Sequence, residues 1–179
     1  MGRALTTSSG IVRALSGGDR RSIGRANHVV KQVLSDPRRF EELFAGLSSE
    51  DPVVRVRAAD VVEKCTVLHP EWLAPYKTEL LGRLAQSADK EVRWHLAQLL
   101  PRLRWTAGER KRVYGLLTGY LDDGSRIVAT CALQALVDLT EQAPSWRPAV
   151  MRYLQRFARE GTPAMRARAR KLLTFPFGA

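Results

Sequence analysis

The chain is short of several things, and each shortage excludes something. None of its 179 residues falls in an apolar run of 18 or more, so the sequence predicts no membrane-spanning helix. It has two cysteines, Cys65 and Cys131, too far apart to read as a ligand pair; both sit in apolar helical patterns, as buried free thiols of a reducing compartment would. Three scattered histidines, His28, His69 and His95, offer no metal-ligand spacing. There is no glycine-rich phosphate loop, because "SGGDRRS" lacks the required spacing. Serines and threonines fall in caps and turns without a recurring base, and no paired carboxylates stand out, so no catalytic residue, metal or cofactor is assigned. Acids are also scarce: 18 Asp+Glu stand against 29 Lys+Arg, a net charge of +11. Such a surplus favours acidic partners, whether a protein face, nucleic acid or an anionic membrane surface. No segment shows strand alternation.

What is present is a core and a repeat. Hydrophobic residues make up 45% of the chain, enough for one soluble domain. Asp51, Asp89, Ser125 and Thr162 stand in one column at spacings of 38, 36 and 37, and all are good helix N-caps. Pro52 and Pro163 follow at the first helical position, where a missing N–H costs nothing. Three residues past the cap come Val54, Val92, Val128 and Met165, and seven past come Ala58, Leu96, Ala132 and Ala169. Val61, Leu99, Ala135 and Leu172 follow at ten, and Val62, Leu100, Leu136 and Leu173 at eleven. These offsets share one helical stripe, so every copy buries the same face.

An apolar helix precedes each cap, marked by Leu43/Phe44/Leu47, Leu80/Leu81/Leu84, Leu116/Leu117/Tyr120 and Tyr153/Leu154/Phe157. Trp72 and Trp146, at equivalent helix entries, read as packing residues. The predicted pairs run over about 38–69, 71–104, 106–142 and 146–173, within a single repeat domain of residues 25–179. One more helix is expected at 25–35, as a cap over the apolar end. Residues 1–24, rich in Gly, Ser and Arg, read as a flexible basic arm. The same composition fits an organelle transit peptide, and "MGRALT" formally matches a myristoylation pattern.

"DPVVR" and "DKEVR" match, and "SRIVA" and "TPAMR" partly match, the capped Val-Arg start of the second helix in HEAT repeats. The sequence thus resembles the HEAT-repeat, armadillo-like family over about residues 38–173. The resemblance implies an all-α fold: a right-handed α-solenoid of about four antiparallel helix pairs, second helices lining the concave side, plus the extra N-terminal helix. The protein is expected to be a cytoplasmic, monomeric, non-catalytic scaffold.

Arg55, Arg93 and Arg166 stand four past the cap, with Ala129 in the third copy. Arg55 and Arg93 read as partners of their capping aspartates or as an inter-repeat ladder. From Trp146 to Lys171 there are eight bases against one acid, Glu160. Arg152, Arg156 and Arg159 share one side of their helix. Opposite the buried stripe runs a polar ridge of Arg57, Asp60, Lys64; His95, Gln98, Arg102; Cys131, Gln134, Asp138; Arg168 and Lys171. If the second helices line the concave side, this ridge is the binding groove, with Trp94 as its aromatic.

The expected partner-binding residues are therefore Arg57, Trp94, His95, Arg102, Arg152, Arg156, Arg159, Arg166, Arg168 and Lys171. Their expected ligand is an acidic protein surface or segment; membrane-surface contact is the weakest reading. The alternative is a nucleic-acid binder. Some DNA glycosylases acting on alkylated purines are built from HEAT-like repeats, and a relative of these would draw on Asp60, Asp138, Trp94 and Trp105, by analogy of fold alone.

Overall fold

The computed structural model describes residues 10–19 and 22–174. Among the described residues the regular elements are all helical, and no helix is long and apolar enough to cross a membrane. The chain divides into two compact units, residues 1–72 and 73–179.

Unit 1 holds α1 (Gly10–Leu15), α2 (Ala26–Ser35), α3 (Phe40–Ala45) and α4 (Pro52–Leu68). The α3 region is a broken helix, with tight turns at Pro37–Arg39 and Gly46–Ser48. Asp51 caps α4 by accepting from the Val53 N–H at 2.8 Å, and Pro52 occupies the first turn. Val54, Ala58, Val61 and Val62 are buried with Phe40, Leu43 and Phe44 of the preceding helix. Each such valine or leucine contributes about 1.5–3 kcal/mol by leaving water. The Phe40 ring meets Trp72 edge-on at 5.2 Å, and Trp72 stacks on His69 at 4.3 Å.

The expectation of a flexible arm does not describe residues 10–19. Residues 1–9, which carry the myristoylation pattern, lie outside the described residues, as do 20 and 21. Residues 10–15 form α1, which packs on α2, α3 and α4 with Ile11 and Leu15 fully buried. Two apolar residues four apart suffice for one helical turn when a core is waiting for them; Gly/Ser/Arg composition hid the pair.

Unit 2 holds α5 (Lys77–Leu81), α6 (Lys90–Leu99), α7 (Ala107–Tyr120), α8 (Arg126–Leu139), α9 (Arg147–Glu160) and α10 (Pro163–Leu173). A full capping box starts α7, with Thr106 and Glu109 each satisfying the other's backbone N–H. Helix α8 packs against α6, α7, α9 and α10. Every member of the predicted stripe, in both units, is buried except Leu173, which is half-buried in the last helix. Trp146 packs on Tyr114 with ring centres 4.6 Å apart.

The turn before three of the second helices, α4, α6 and α8, has its own chemistry, which the column of caps does not reveal. Two residues ahead of the cap, Ser49 and Ser87 accept the cap's N–H through Oγ at 3.2 Å, and Asp123 does so through Oδ1 at 2.7 Å. These side chains close the turn locally.

Candidate partner-binding surface

The arginines four past the cap are built into the fold. The Arg55 guanidinium donates to the carbonyls of Ser49 and Glu50 at 2.7 and 3.0 Å, and Arg93 does the same to Ser87 and Ala88 at 2.8 and 2.9 Å. Arg166 donates to the Gly161 carbonyl at 3.0 Å. Each clamps the turn ahead of its helix, which offsets a cation's unfavourable position in a first turn. Arg93 also reaches Asp123 in the next copy, the ladder expected from the sequence. Helix α8 has no arginine here; Ala129 is buried. Arg166 thus has a local structural contact as well as its place among the candidates.

Arg57 was expected to face a groove. It is instead 4% exposed, with its guanidinium caged by the carbonyls of Leu15, Ser16, Gly17, Asp19 and Ser22 at 2.7–3.4 Å. The chain can curl so tightly because Gly17, Gly18 and Gly24 take positive φ angles of 73°, 74° and 48°. Gly24 has a second reason: a Cβ there would sit 2.7 Å from the Arg57 Cζ. Arg57 is a structural peg for the N-terminal segment, and no partner can reach it in this conformation.

Part of the unit 2 ridge lines one cavity. Gln98 and Arg102 on one wall face Cys131, Gln134, Asp138 and Glu141 on the other, around a cavity of about 310 Å³. Gln134 links two of the ridge's charged groups: its Nε2 donates to Asp138 Oδ1 at 2.8 Å, and its Oε1 accepts from Arg168 at 2.9 Å. Burial, assisted by the nearby Glu141 charge, holds the Asp138 carboxyl above the ordinary aspartate range. Cys131 is half-buried on this cavity, so only Cys65 meets the expectation of a buried thiol. Burial pushes the Cys65 thiol up to about 11.

His95 lies at 3% exposure beneath Trp94, so the two are packed together rather than presented as a free pair. Lys171 is exposed three residues beyond Arg168, on the same side of α10.

Arg152, Arg156 and Arg159 lie elsewhere. Val150, Leu154 and Phe157 bury one side of α9, which turns the three arginines outward, and all three are exposed. Their neighbours come from the first helices and their turns. Arg156 sits 3.8 Å from Asp122 and 4.3 Å above the Phe157 ring, and Arg152 lies near enough to Tyr114 to influence its hydroxyl. The basic C-terminal pair therefore presents two faces: the α9 row, and the α10 side with Arg168 and the cavity. The expected single site is divided because α9 and α10 pack through the surfaces between them.

The residues that a glycosylase reading would draw on each have their own surroundings. Asp60 is bound by Lys64 at 2.7 Å. Trp105 is 5% exposed, its Nε1 donating to the Leu100 carbonyl at 2.7 Å, with Lys77 over its ring. Asp138 lines a cavity that no aromatic ring borders among the described residues. Among the described residues no group of His, Cys, Asp and Glu could hold a metal ion.

Comparison with known proteins agrees with this architecture. The crystal structure of an engineered protein superposes with a TM-score of 0.64 at 17% identity, covering 91% of this chain and 76% of that one. No curated protein matches the sequence. A family profile described as HEAT repeat domain matches residues 14–116, more than half the chain. With four second helices burying one repeated stripe, the chain belongs to the HEAT-repeat family.

Proposed function

We propose that this chain is a non-catalytic scaffold that holds an acidic protein partner, with the α9 row as the principal contact. The observation carrying this reading is the outward row of Arg152, Arg156 and Arg159, of which only Arg156 has a carboxylate within 4 Å among the described residues. That contact is long, at 3.8 Å, and its Asp122 is 82% exposed, so it holds the arginine weakly. Three guanidinium groups on one rigid helix form a ready fork for carboxylates. The charge around them has the same sign: unit 2 carries 18 bases and 9 acids, unit 1 only 11 and 9. Such a field speeds the approach of an acidic partner.

Fluorescence anisotropy with a labelled poly-glutamate peptide tests this at 50 and 300 mM salt. Binding at low salt that weakens at high salt, and is lost in Arg152→Glu/Arg156→Glu/Arg159→Glu, supports the proposal. Unchanged binding by that variant removes the α9 row. Tighter binding to duplex or single-stranded DNA, with a steep salt slope, transfers the surface to nucleic acid.

A further inference from the structure

We infer that the cavity of unit 2 receives a single lysine or arginine side chain from a protein partner. Its volume of about 310 Å³ is at the small end for a ligand pocket and suits one extended side chain. Pro101 and Ala135 supply apolar wall for an aliphatic stem, while Asp138 and Glu141 supply carboxylates for a charged head.

Asp138 is prepared for this. Gln134 fixes its Oδ1 at 2.8 Å and is itself held by Arg168, while Oδ2 has no protein partner among the described residues. Neither Asp138 nor Glu141 has a cation within 4 Å among those residues, although Arg102 lines the same cavity. Arg168 and Arg102 favour the charged Asp138 only from a distance; a partly dehydrated carboxylate with no cation in contact is costly, and an incoming ammonium or guanidinium would relieve that cost.

The ridge itself shows the relieved state. In the first copy its carboxylate is Asp60, and there Lys64 sits on it at 2.7 Å. In the third copy the same two positions hold Gln134 and Asp138, so the carboxylate stands where the lysine stood and is met by a neutral amide instead of a cation. An anion is disfavoured by the same geometry, since a phosphate here would face two carboxylates against one lining arginine. This site is separate from the α9 row, on the α6–α8–α10 side, and does not depend on it.

The test is an NMR titration of the full chain, reading the side-chain amides of Gln98 and Gln134. The probes are N-acetyl-arginine methylamide and N-acetyl-lysine methylamide, with N-acetyl-glutamate methylamide as the opposite charge. Saturable shifts with the cationic probes, at least tenfold weaker in Asp138→Asn and in Glu141→Gln, support the site. Glu141 is exposed, so its variant tests the site even if Asp138→Asn unfolds. Binding retained in Arg152→Glu/Arg156→Glu/Arg159→Glu shows the cavity acting alone, whatever the fate of the α9 row. Absence of shifts, equal shifts with the glutamate probe, or unweakened binding by Glu141→Gln overturns it. Equal affinity for guanidinium or methylammonium ions also overturns the side-chain assignment, because the stem would then contribute nothing.

Discussion

Arg93 of α6 grips Asp123 with two hydrogen bonds, at 2.8 and 3.3 Å, and so ties one repeat to the turn that opens the next second helix. The pair is 20% and 12% exposed, dry enough for the charges to matter. The same arginine closes its own turn, and the same aspartate accepts the Ser125 N–H. One contact therefore sets two turns and their relative register.

Arg93→Ala should lower stability by roughly 2 kcal/mol, since it leaves Asp123 short of its charge partner. Asp123→Asn should cost less, because an amide oxygen still accepts. A double-mutant cycle by urea unfolding should show coupling of about 1 kcal/mol or more. Strict additivity would mean that the two side chains do not cooperate.

Acid should act through the same pair. Burial pushes the Asp123 carboxyl up, but hydrogen bonds from Arg93 and the Ser125 N–H outweigh it, leaving its pKa below the ordinary value of 3.8. A depressed carboxylate stabilises the fold above its unfolded pKa and loses that contribution as pH falls through the folded one. Thermal melts of the wild type should therefore drop more steeply below about pH 4 than those of Asp123→Asn. Parallel curves would assign acid sensitivity to other groups.

Arg57→Ala should release the N-terminal segment and cost about 3 kcal/mol, since five carbonyls, that of Leu15 buried, lose their donor. Arg57→Lys should rescue little, because one ammonium cannot reach so many acceptors. Limited proteolysis should show new cleavage between residues 10 and 24 in both variants. Gly24→Ala should do the same through its φ of 48° and the clash with Arg57. Protection as in the wild type would show that α1 holds the segment alone.

The thiols should be separable. Cys65 is fully buried with its pKa pushed up to about 11, whereas Cys131 borders the cavity half-exposed. At pH 8 iodoacetamide should label Cys131 in the native chain and Cys65 only on unfolding. Equal labelling rates at both, read by mass spectrometry, would contradict the burial described.

Asp138→Asn should leave stability unchanged or raise it at pH 7. Burial holds the Asp138 pKa up, so the folded chain favours the protonated form; the stabilisation that this gives is present below the unfolded pKa and lost as pH rises through the folded one. An amide removes that sensitivity. A marked loss of stability would show that the carboxylate makes a contact the amide cannot.

Much of the architecture was readable because helix caps and apolar stripes are local. Asp51, Asp89, Ser125 and Thr162 all stand at N-cap positions, and the stripe behind them is buried almost throughout. The turn-closing side chains at Ser49, Ser87 and Asp123 were equally local, and a column two residues before the cap would have found them. The candidate site was less legible. Periodicity placed Arg57, His95, Gln98 and Asp138 on one ridge, but it could not say that Arg57 is caged by residues more than thirty positions earlier. Nor could it separate the α9 row from Arg168, since both read simply as a run of basic residues.

By itself the sequence determined the helical repeat, its caps, its buried stripe and its surplus of positive charge, because spacing along a helix dictates which residues share a face. Tertiary structure alone decided which cations are available. Arg57 and Arg93 were drawn to carbonyls and a carboxylate supplied by other segments, while Arg152, Arg156 and Arg159 were left in water. Only close packing brings those acceptors within hydrogen-bond reach, and a guanidinium goes where its donors are matched.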